Sequence, residues 1–248
     1  MPSTPASAPA RFLRERLFLS ARITEIEQLT PRLQRIRISG PKLRGLPWKP
    51  GQQVRVHVAD LVAAIRRMHP HDALRTYSIF DAGADHLDLV IAQHDGSGPG
   101  TVWASSAAVG DEVTLSRPQG DFTVRPDAPY HLFAGEETAS VAFAAMLRAL
   151  PADAVVHGVT EAATADDHLA LPRPLTRVER GAASAAGSQV LVAAVRALDL
   201  PAAPGVAYLA GEARTIQAVR THLVTERGWH RRDIRTKPFW TPGKRGME

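Results

Sequence analysis

Four consecutive residues of this chain carry side chains that suit a flat, phosphorylated ligand. They are Arg75, Thr76, Tyr77 and Ser78, at the start of a strand-like run that ends at Phe80. A guanidinium binds phosphate through a forked pair of hydrogen bonds, and a tyrosine ring stacks on a flat heterocycle. A serine hydroxyl can hydrogen-bond a ring nitrogen. The segment therefore predicts a flavin-binding strand, and the alternative is an ordinary exposed strand.

A glycine-rich segment follows the next strand-like run and precedes a predicted helix. It begins at His94, contains Gly98 and Gly100, and ends at Thr101. Glycines let the backbone approach a ligand closely, and the free N–H groups of a helix N-terminus bind anions. Together with Arg75, this segment predicts a site for the pyrophosphate of a dinucleotide. Its spacing matches neither the Rossmann fingerprint nor a P-loop, so a turn with a helix cap is the alternative.

Two Gly-Glu turns follow predicted strands in the second half of the chain. The first is Gly135-Glu136-Glu137-Thr138 and the second is Gly211-Glu212-Ala213. Such turns can be plain capping arrangements, in the first case with Thr138 as the cap and the acids near the positive helix end. They also suit the crossing of a nicotinamide nucleotide over the strand ends, and their equivalent positions favour that interpretation.

The bulk composition limits the classes of protein and of site. The chain has 248 residues, 44% of them apolar, which fits one large or two small globular domains. It contains no cysteine, which excludes disulfides, thiolate metal sites and thiol catalysis. The net charge of +5 comes without a nucleic-acid-binding motif. The stretch from His69 to Asp72 resembles a metal-ligand cluster, but its Pro and loop composition favour a solvated turn, and we predict no metal site.

Targeting signals are also missing from the sequence. No run approaches the roughly 18 apolar residues of a membrane span. The first ten residues are rich in Pro, Ala and Ser, which predicts a disordered tail and not a signal peptide. We therefore expect a cytoplasmic protein, monomeric, without membrane insertion and without a nucleic-acid partner.

The elements that must position these residues change in character near residue 127. Before it, short alternating runs separated by Pro and Gly predict an antiparallel barrel. They are Arg32–Ile38, Val54–Val58, Tyr77–Phe80, Leu87–Ile91 and Glu112–Leu115, with an inserted helix or loop at Leu61–His71 and a helix between Thr101 and Ala108. After Pro129, strands alternate with helices, which predicts a parallel sheet whose nucleotide lies at the carboxyl ends of the strands. The strands are Tyr130–Ala134, Ala154–Val159 and Val206–Ala210, the helices are Thr138–Leu150, Val190–Arg196 and Glu212–Arg227, and Arg180–Gln189 is a surface loop.

The expected plan therefore has two domains of different fold class. An antiparallel β-barrel occupies residues 16–127, after a disordered tail at residues 1–15. A parallel-sheet α/β domain occupies residues 128–248. This plan suits an enzyme that holds one cofactor on the barrel and a second nucleotide on the sheet.

In order and spacing, these motifs resemble those of the siderophore-interacting proteins, flavoprotein ferric-siderophore reductases related to ferredoxin-NADP reductases. The resemblance extends from about Arg16 to Arg245. It rests on the segments already quoted, together with Val102-Trp103-Ala104, Val109-Gly110-Asp111 and the ending Phe239-Trp240. Three departures accompany it: Glu136 replaces the usual Asp, Ser140-Val141 replaces Leu-Pro, and Pro238-Phe239-Trp240 replaces Gly-Tyr-Trp.

The resemblance implies that the antiparallel barrel at residues 16–127 is an FAD-binding domain. It implies that the parallel-sheet domain at residues 128–248 binds NAD(P)H and ends in a tail, from Lys237 onward, that covers the flavin. It also implies roles for particular residues. FAD would contact Arg75 through its phosphate, Tyr77 through its isoalloxazine face and Ser78 near N5, with Thr76 on the same strand. His94, Gly98, Gly100 and Thr101 would hold the FAD phosphate or adenosine, and Trp240 would shield the flavin, with core packing as the alternative for this indole. Gly135 to Thr138 and Gly211 to Ala213 would line the site of NADH or NADPH.

The acceptor implied by the resemblance is a ferric siderophore, expected to be anionic. The basic residues that could steer it to the flavin are Arg55, Lys237, Lys244 and Arg245. Residues 160–167 carry acids and no bases, which favours NADH over NADPH. Two other functions remain open: a general flavin reductase or electron-transfer flavoprotein with another acceptor, and a non-enzymatic siderophore-binding protein.

Overall fold

The computed structural model describes residues 18–58, 74–93 and 98–244. These residues form a six-stranded barrel followed by a five-stranded sheet with helices. The barrel strands are β1 (Phe18–Thr30), β2 (Leu33–Ser39), β3 (Gln53–His57), β4 (Leu74–Ala82), β5 (His86–Ala92) and β6 (Glu112–Ser116), with α1 (Pro99–Ser106) before β6. The sheet strands are β7 (His131–Glu136), β8 (Val156–Ala162), β9 (Thr176–Glu179), β10 (Val206–Glu212) and β11 (Ile234–Trp240), and the helices are α2 (Glu137–Ala149), α3 (Gln189–Arg196) and α4 (Ala213–Thr225).

The barrel is antiparallel and closed in the order β1-β2-β5-β4-β3-β6. Alternating apolar residues of each strand, such as Ile36 and Ile38 on β2 and Val54 and Val56 on β3, fill its interior. Side chains on a strand point alternately to the two faces, so the period of two in the sequence sends every second residue into this core.

The sheet is parallel, in the order β11-β10-β7-β8-β9. The chain runs from β7 outward to β8 and β9, then returns to β10 on the other side of β7. The strand order therefore reverses between β7 and β10, and ligands of open α/β sheets bind in the crevice at such a switch point. Both strands are buried along their whole length, as central parallel strands are expected to be.

The predicted fold class is confirmed: an antiparallel barrel precedes a parallel α/β sheet. The predicted strands and helices are present, with ends shifted by a few residues, and Arg180–Gln189 is a loop up to the start of α3. The segment around Lys237 was expected to be a terminal tail, which was wrong, because residues up to Trp240 form the edge strand β11. Strands β1 and β9 were not predicted. The expected tail at residues 1–15, the inserted segment at Leu61–His71 and the turn at His69–Asp72 lie outside the described residues.

The barrel and the sheet pack against each other through α2 and β4. An apolar cluster joins Leu33 and Val90 of the barrel to Val141 and Ala144 of α2, with Phe80 of β4 packed against it. At the far end of α2, the Arg148 guanidinium lies 4.7 Å from the centre of the Phe80 ring and donates to the Phe80 carbonyl. Among the helices described, none is long and apolar enough to span a membrane.

Candidate functional site

Strand β4 presents its four candidate residues on two faces. Because side chains alternate, Arg75 and Tyr77 share one face with the buried Ile79, while Thr76 and Ser78 lie on the other. In the antiparallel register with β3, Gln53 is opposite Ser78 and Arg55 is opposite Thr76. The strand thus separates a guanidinium and an aromatic ring from two hydroxyl groups.

The N-terminus of α1 lies directly against Arg75 and Tyr77. A Cβ placed on Gly100 would be 2.7 Å from the Tyr77 hydroxyl oxygen and 3.3 Å from Cγ of Arg75, so this position accepts only glycine without a shift. Gly98 is the N-cap residue, and no described side chain caps the helix. Backbone N–H groups at a helix start, lying beside a guanidinium, suit a phosphate, so these residues fit the FAD pyrophosphate.

Of the two other residues predicted to hold the FAD phosphate or adenosine, the structure describes only one. Thr101 lies in the first turn of α1, directly after Gly100. His94 lies outside the described residues. Its role therefore stays a prediction.

An aromatic neighbour of Tyr77 was not predicted as a site residue. The ring of Trp103, on α1, stacks on Tyr77 with centroids 5.9 Å apart and planes at 30°. Burial raises the pKa of the Tyr77 phenol, so its hydroxyl remains protonated at neutral pH. The pair fixes α1 to β4, and its signal in the sequence is the aromatic residue one helical turn after Gly100.

Three buried glutamates lie at the carboxyl ends of neighbouring strands. Glu136 on β7, Glu161 on β8 and Glu212 on β10 are 2%, 0% and 0% exposed. Each carboxylate accepts a backbone N–H at a helix N-terminus: Thr138 N–H on α2 at 2.8 Å, Leu191 N–H on α3 at 3.1 Å and Thr215 N–H on α4 at 2.9 Å. The protein's own carboxylates therefore occupy these three helix ends.

The alternative prediction that Thr138 caps α2 was wrong. Glu136 is the N-cap residue, and Thr138 supplies both its N–H and its hydroxyl to that carboxylate. The longer Glu side chain reaches back over the helix start from the last position of the strand, which makes the threonine a donor and not the cap.

The two Gly-Glu segments lie at equivalent positions, as predicted, on the paired strands β7 and β10, and their acidic side chains are buried. Glu137 forms a two-pronged ion pair with Arg180, at 2.5 Å for each bond, and Arg180 also lies 3.5 Å from Glu161. A Cβ on Gly135 would be 2.3 Å from the Ala210 carbonyl oxygen, so that glycine permits the close approach of two strands. Ala213 begins α4. Contact of these segments with a nicotinamide nucleotide stays a prediction.

Trp240 crosses the sheet edge to reach Glu136. Its indole N–H donates to the Glu136 carboxylate at 2.9 Å, from the end of β11 to the end of β7. Burial, reinforced by the neighbouring Glu137, raises the pKa of Glu136 to about 7. Nothing in the local sequence signals this contact, since its partners are separated by most of a domain.

The four basic candidates do not form one exposed cluster. The Nζ atom of Lys237 is buried without a hydrogen-bond partner among the described residues, 5.9 and 5.8 Å from the ring centres of Phe122 and Phe239. Its expected role as an exposed steering charge was therefore wrong, and burial lowers its pKa to about 8. Arg55 is half-buried on β3, Lys244 is exposed after β11, and Arg245 lies outside the described residues.

Two family models match the chain. The model of the siderophore-interacting protein family matches residues 128–243, and that of the siderophore-interacting FAD-binding domain matches residues 22–122. An uncharacterised protein of Mycobacterium tuberculosis is 37% identical over 116 residues, which are 47% of this chain and 40% of that protein. Ferric vibriobactin reductase of Vibrio cholerae is 27% identical over 176 residues, 68% of this chain and 65% of that protein. The matched stretches thus span less than two thirds of either relative.

Solved structures share the fold over nearly the whole chain. A siderophore utilization protein from T. fusca has a TM-score of 0.78 and 25% identity, covering 93% of this chain and 95% of its own. The siderophore-interacting protein SipS from Aeromonas hydrophila has a TM-score of 0.78 and 24% identity, covering 92% and 93%.

Proposed function

This chain belongs to the siderophore-interacting protein family, and from that premise we propose that it is a flavoprotein that uses NADH or NADPH to reduce ferric siderophores and release Fe(II) in the cytoplasm. The barrel matches an FAD-binding domain, so FAD is its cofactor. The observation that carries the proposal is the close packing of the α1 N-terminus against Arg75 and Tyr77, because a helix start beside a guanidinium suits a phosphate on the strand that would hold the flavin.

Different residues of this chain would bind the FAD, receive the pyridine nucleotide and limit access to the site. FAD, when bound, takes an electron pair from a pyridine nucleotide and passes electrons singly to iron. Arg75 and the backbone N–H groups of α1 would bind its phosphates, and Ser78, on the opposite face of β4, would donate to its ring. The carboxyl ends of β7 and β10 would receive the nucleotide. Trp240 would limit access of water and substrates to this edge.

The substrate chemistry requires no general acid or base. Chelators hold Fe(III), a hard and highly charged ion, more tightly than Fe(II), so that reduction itself loosens the complex. An anionic siderophore would be drawn to exposed basic residues near the site. Lys244 and the half-buried Arg55 are the described candidates.

The test is anaerobic iron release from several ferric siderophores, with NADH and NADPH in parallel and a ferrous chelator as the trap. We expect Fe(II) to appear only with FAD-loaded protein and a pyridine nucleotide. Nucleotide oxidation without iron release would instead support an electron-transfer flavoprotein with another acceptor. Siderophore binding without either reaction would support a non-enzymatic binding protein.

The FAD site has its own test in Gly100→Val. The added side chain would collide with Tyr77 and Arg75 and push α1 away from β4, so we expect FAD affinity to fall at least tenfold, as measured by fluorescence titration. Val102→Ala is the control, because Val102 is 56% exposed on the same helix. Equal FAD affinity in wild type and Gly100→Val would place the phosphates elsewhere.

A further inference from the structure

The crevice at the switch point of the sheet is bridged by a side chain from the edge strand. Trp240 ends β11, and β10 lies between β11 and β7. Neighbouring strands are about 4.8 Å apart, so a hydrogen bond from Trp240 to Glu136 must pass over the end of β10. The indole therefore lies across the place where an open α/β sheet receives its ligand.

Two backbone features make room for this bridge. Gly211 on β10 has φ of 114°, and a Cβ there would lie 2.6 Å from Oε1 of Glu136, the atom that accepts the indole N–H. Gly211 of β10 pairs with Pro238 of β11, and the next residue of β10, Glu212, pairs with Trp240. Phe239 is therefore an extra residue in β11. Such a bulge re-aims the side chains that follow it.

We propose that Glu136 is a positioning residue that tethers the indole of Trp240 across the crevice between β7 and β10, so that a pyridine nucleotide must displace the ring in order to bind. The inference rests on the proposed function, because it concerns the nucleotide of that reaction. It assigns Glu136 a role in access, in contrast to the direct nucleotide contact predicted for it.

The hydrogen-bonding of Glu136 makes the tether separable from the helix cap. Oε2 accepts the Thr138 N–H, while Oε1 accepts the Thr138 hydroxyl and the indole N–H. Loss of the indole therefore leaves the buried carboxylate with two donors and α2 still capped. The hydrogen bond from the indole N–H to the Glu136 carboxylate opposes displacement of the Trp240 ring by the nucleotide. A hydrogen bond to a charged group corresponds to roughly a tenfold effect on nucleotide affinity.

Two variants remove the tether by different routes. Trp240→Phe keeps an aromatic ring but deletes the N–H donor. Glu136→Asp keeps a good N-cap but shortens the side chain by one methylene, which draws the carboxylate away from the indole. We expect each to lower the dissociation constants of NAD⁺ or NADP⁺ about tenfold by calorimetry, and to lower KM for the reduced nucleotide more than it changes kcat.

The control is Trp48→Phe, which makes the same replacement in a half-buried indole on the barrel. We expect its nucleotide affinity to equal that of wild type. Unchanged affinity in both tether variants, or no nucleotide binding by any of these proteins, would overturn the tether. A tenfold gain in affinity without iron release would refute the proposed reaction and leave the tether standing.

Discussion

At the scale of single residues, Glu136 is a carboxyl group that the fold both buries and surrounds with donors. Its folded pKa of about 7 lies above the ordinary 4.5, chiefly through burial and then through Glu137. The folded state therefore holds the proton more tightly than the unfolded chain. The resulting stability is complete below pH 4.5 and is lost as the pH rises through 7, a loss of roughly 3 kcal/mol in the free energy of unfolding.

The variant Glu136→Gln has no ionisable group at this position, so it should not show this loss of unfolding free energy as the pH rises. We expect the difference in unfolding free energy between variant and wild type to shift in favour of the variant by roughly 2 kcal/mol between pH 5 and pH 8. Urea unfolding at several pH values measures it. Parallel stability curves would mean that Glu136 is already ionised at pH 5.

The position of a single residue in the site could be predicted where one short segment of the sequence determines it. The proximity of Arg75 to Gly100 followed from a strand next to a helix N-terminus, and the structure brings the two residues together. The roles of Glu136 and Lys237 did not follow, because burial depends on which distant elements cover them. Their environments are set by Trp240 in one case and by Phe122 in the other.

At the scale of elements, the helices of the sheet domain are joined to it by buried caps. Ser188 caps α3: its hydroxyl oxygen accepts the Leu191 N–H at 3.3 Å and its hydroxyl donates to Glu161. Ser188→Ala removes the cap and one donor of a buried carboxylate, so we expect a loss of about 1 to 3 kcal/mol in the free energy of unfolding. Ser184→Ala, at an exposed loop position, should change it by no more than about 0.5 kcal/mol. Equal effects would show that the cap contributes nothing specific.

Edge strands explain what the sequence patterns missed in the parallel sheet. The central strands β7 and β10 are buried along their whole length, and their apolar residues predict them as strands from the sequence. Strand β9 has four residues, three of them exposed, and β11 mixes basic residues with Pro238. An edge strand is covered on one side only and tolerates proline, so its composition resembles that of a loop.

At the scale of the whole molecule, α2 connects the two halves of the proposed reaction. It starts at the Glu136 cap beside the crevice and ends with Arg148 on Phe80 of β4, two residues beyond Ser78. The helix thus sets the distance between the flavin strand and the nucleotide edge. Electron-pair transfer between two bound groups is sensitive to displacements of about 1 Å. The contact between Arg148 and Phe80 should therefore affect the reaction without touching either ligand.

Arg148→Ala removes both the guanidinium over the ring and its bond to the Phe80 carbonyl. We expect flavin reduction by NADH or NADPH to slow about tenfold in stopped-flow measurements, because α2 is no longer held at this end. FAD affinity should stay within twofold of wild type, since Arg75 and α1 are untouched. Arg44→Ala, an exposed substitution on the barrel, controls for the lost charge. An unchanged reduction rate would mean that the apolar cluster between Leu33, Val90 and α2 alone fixes the relative placement of the two sites.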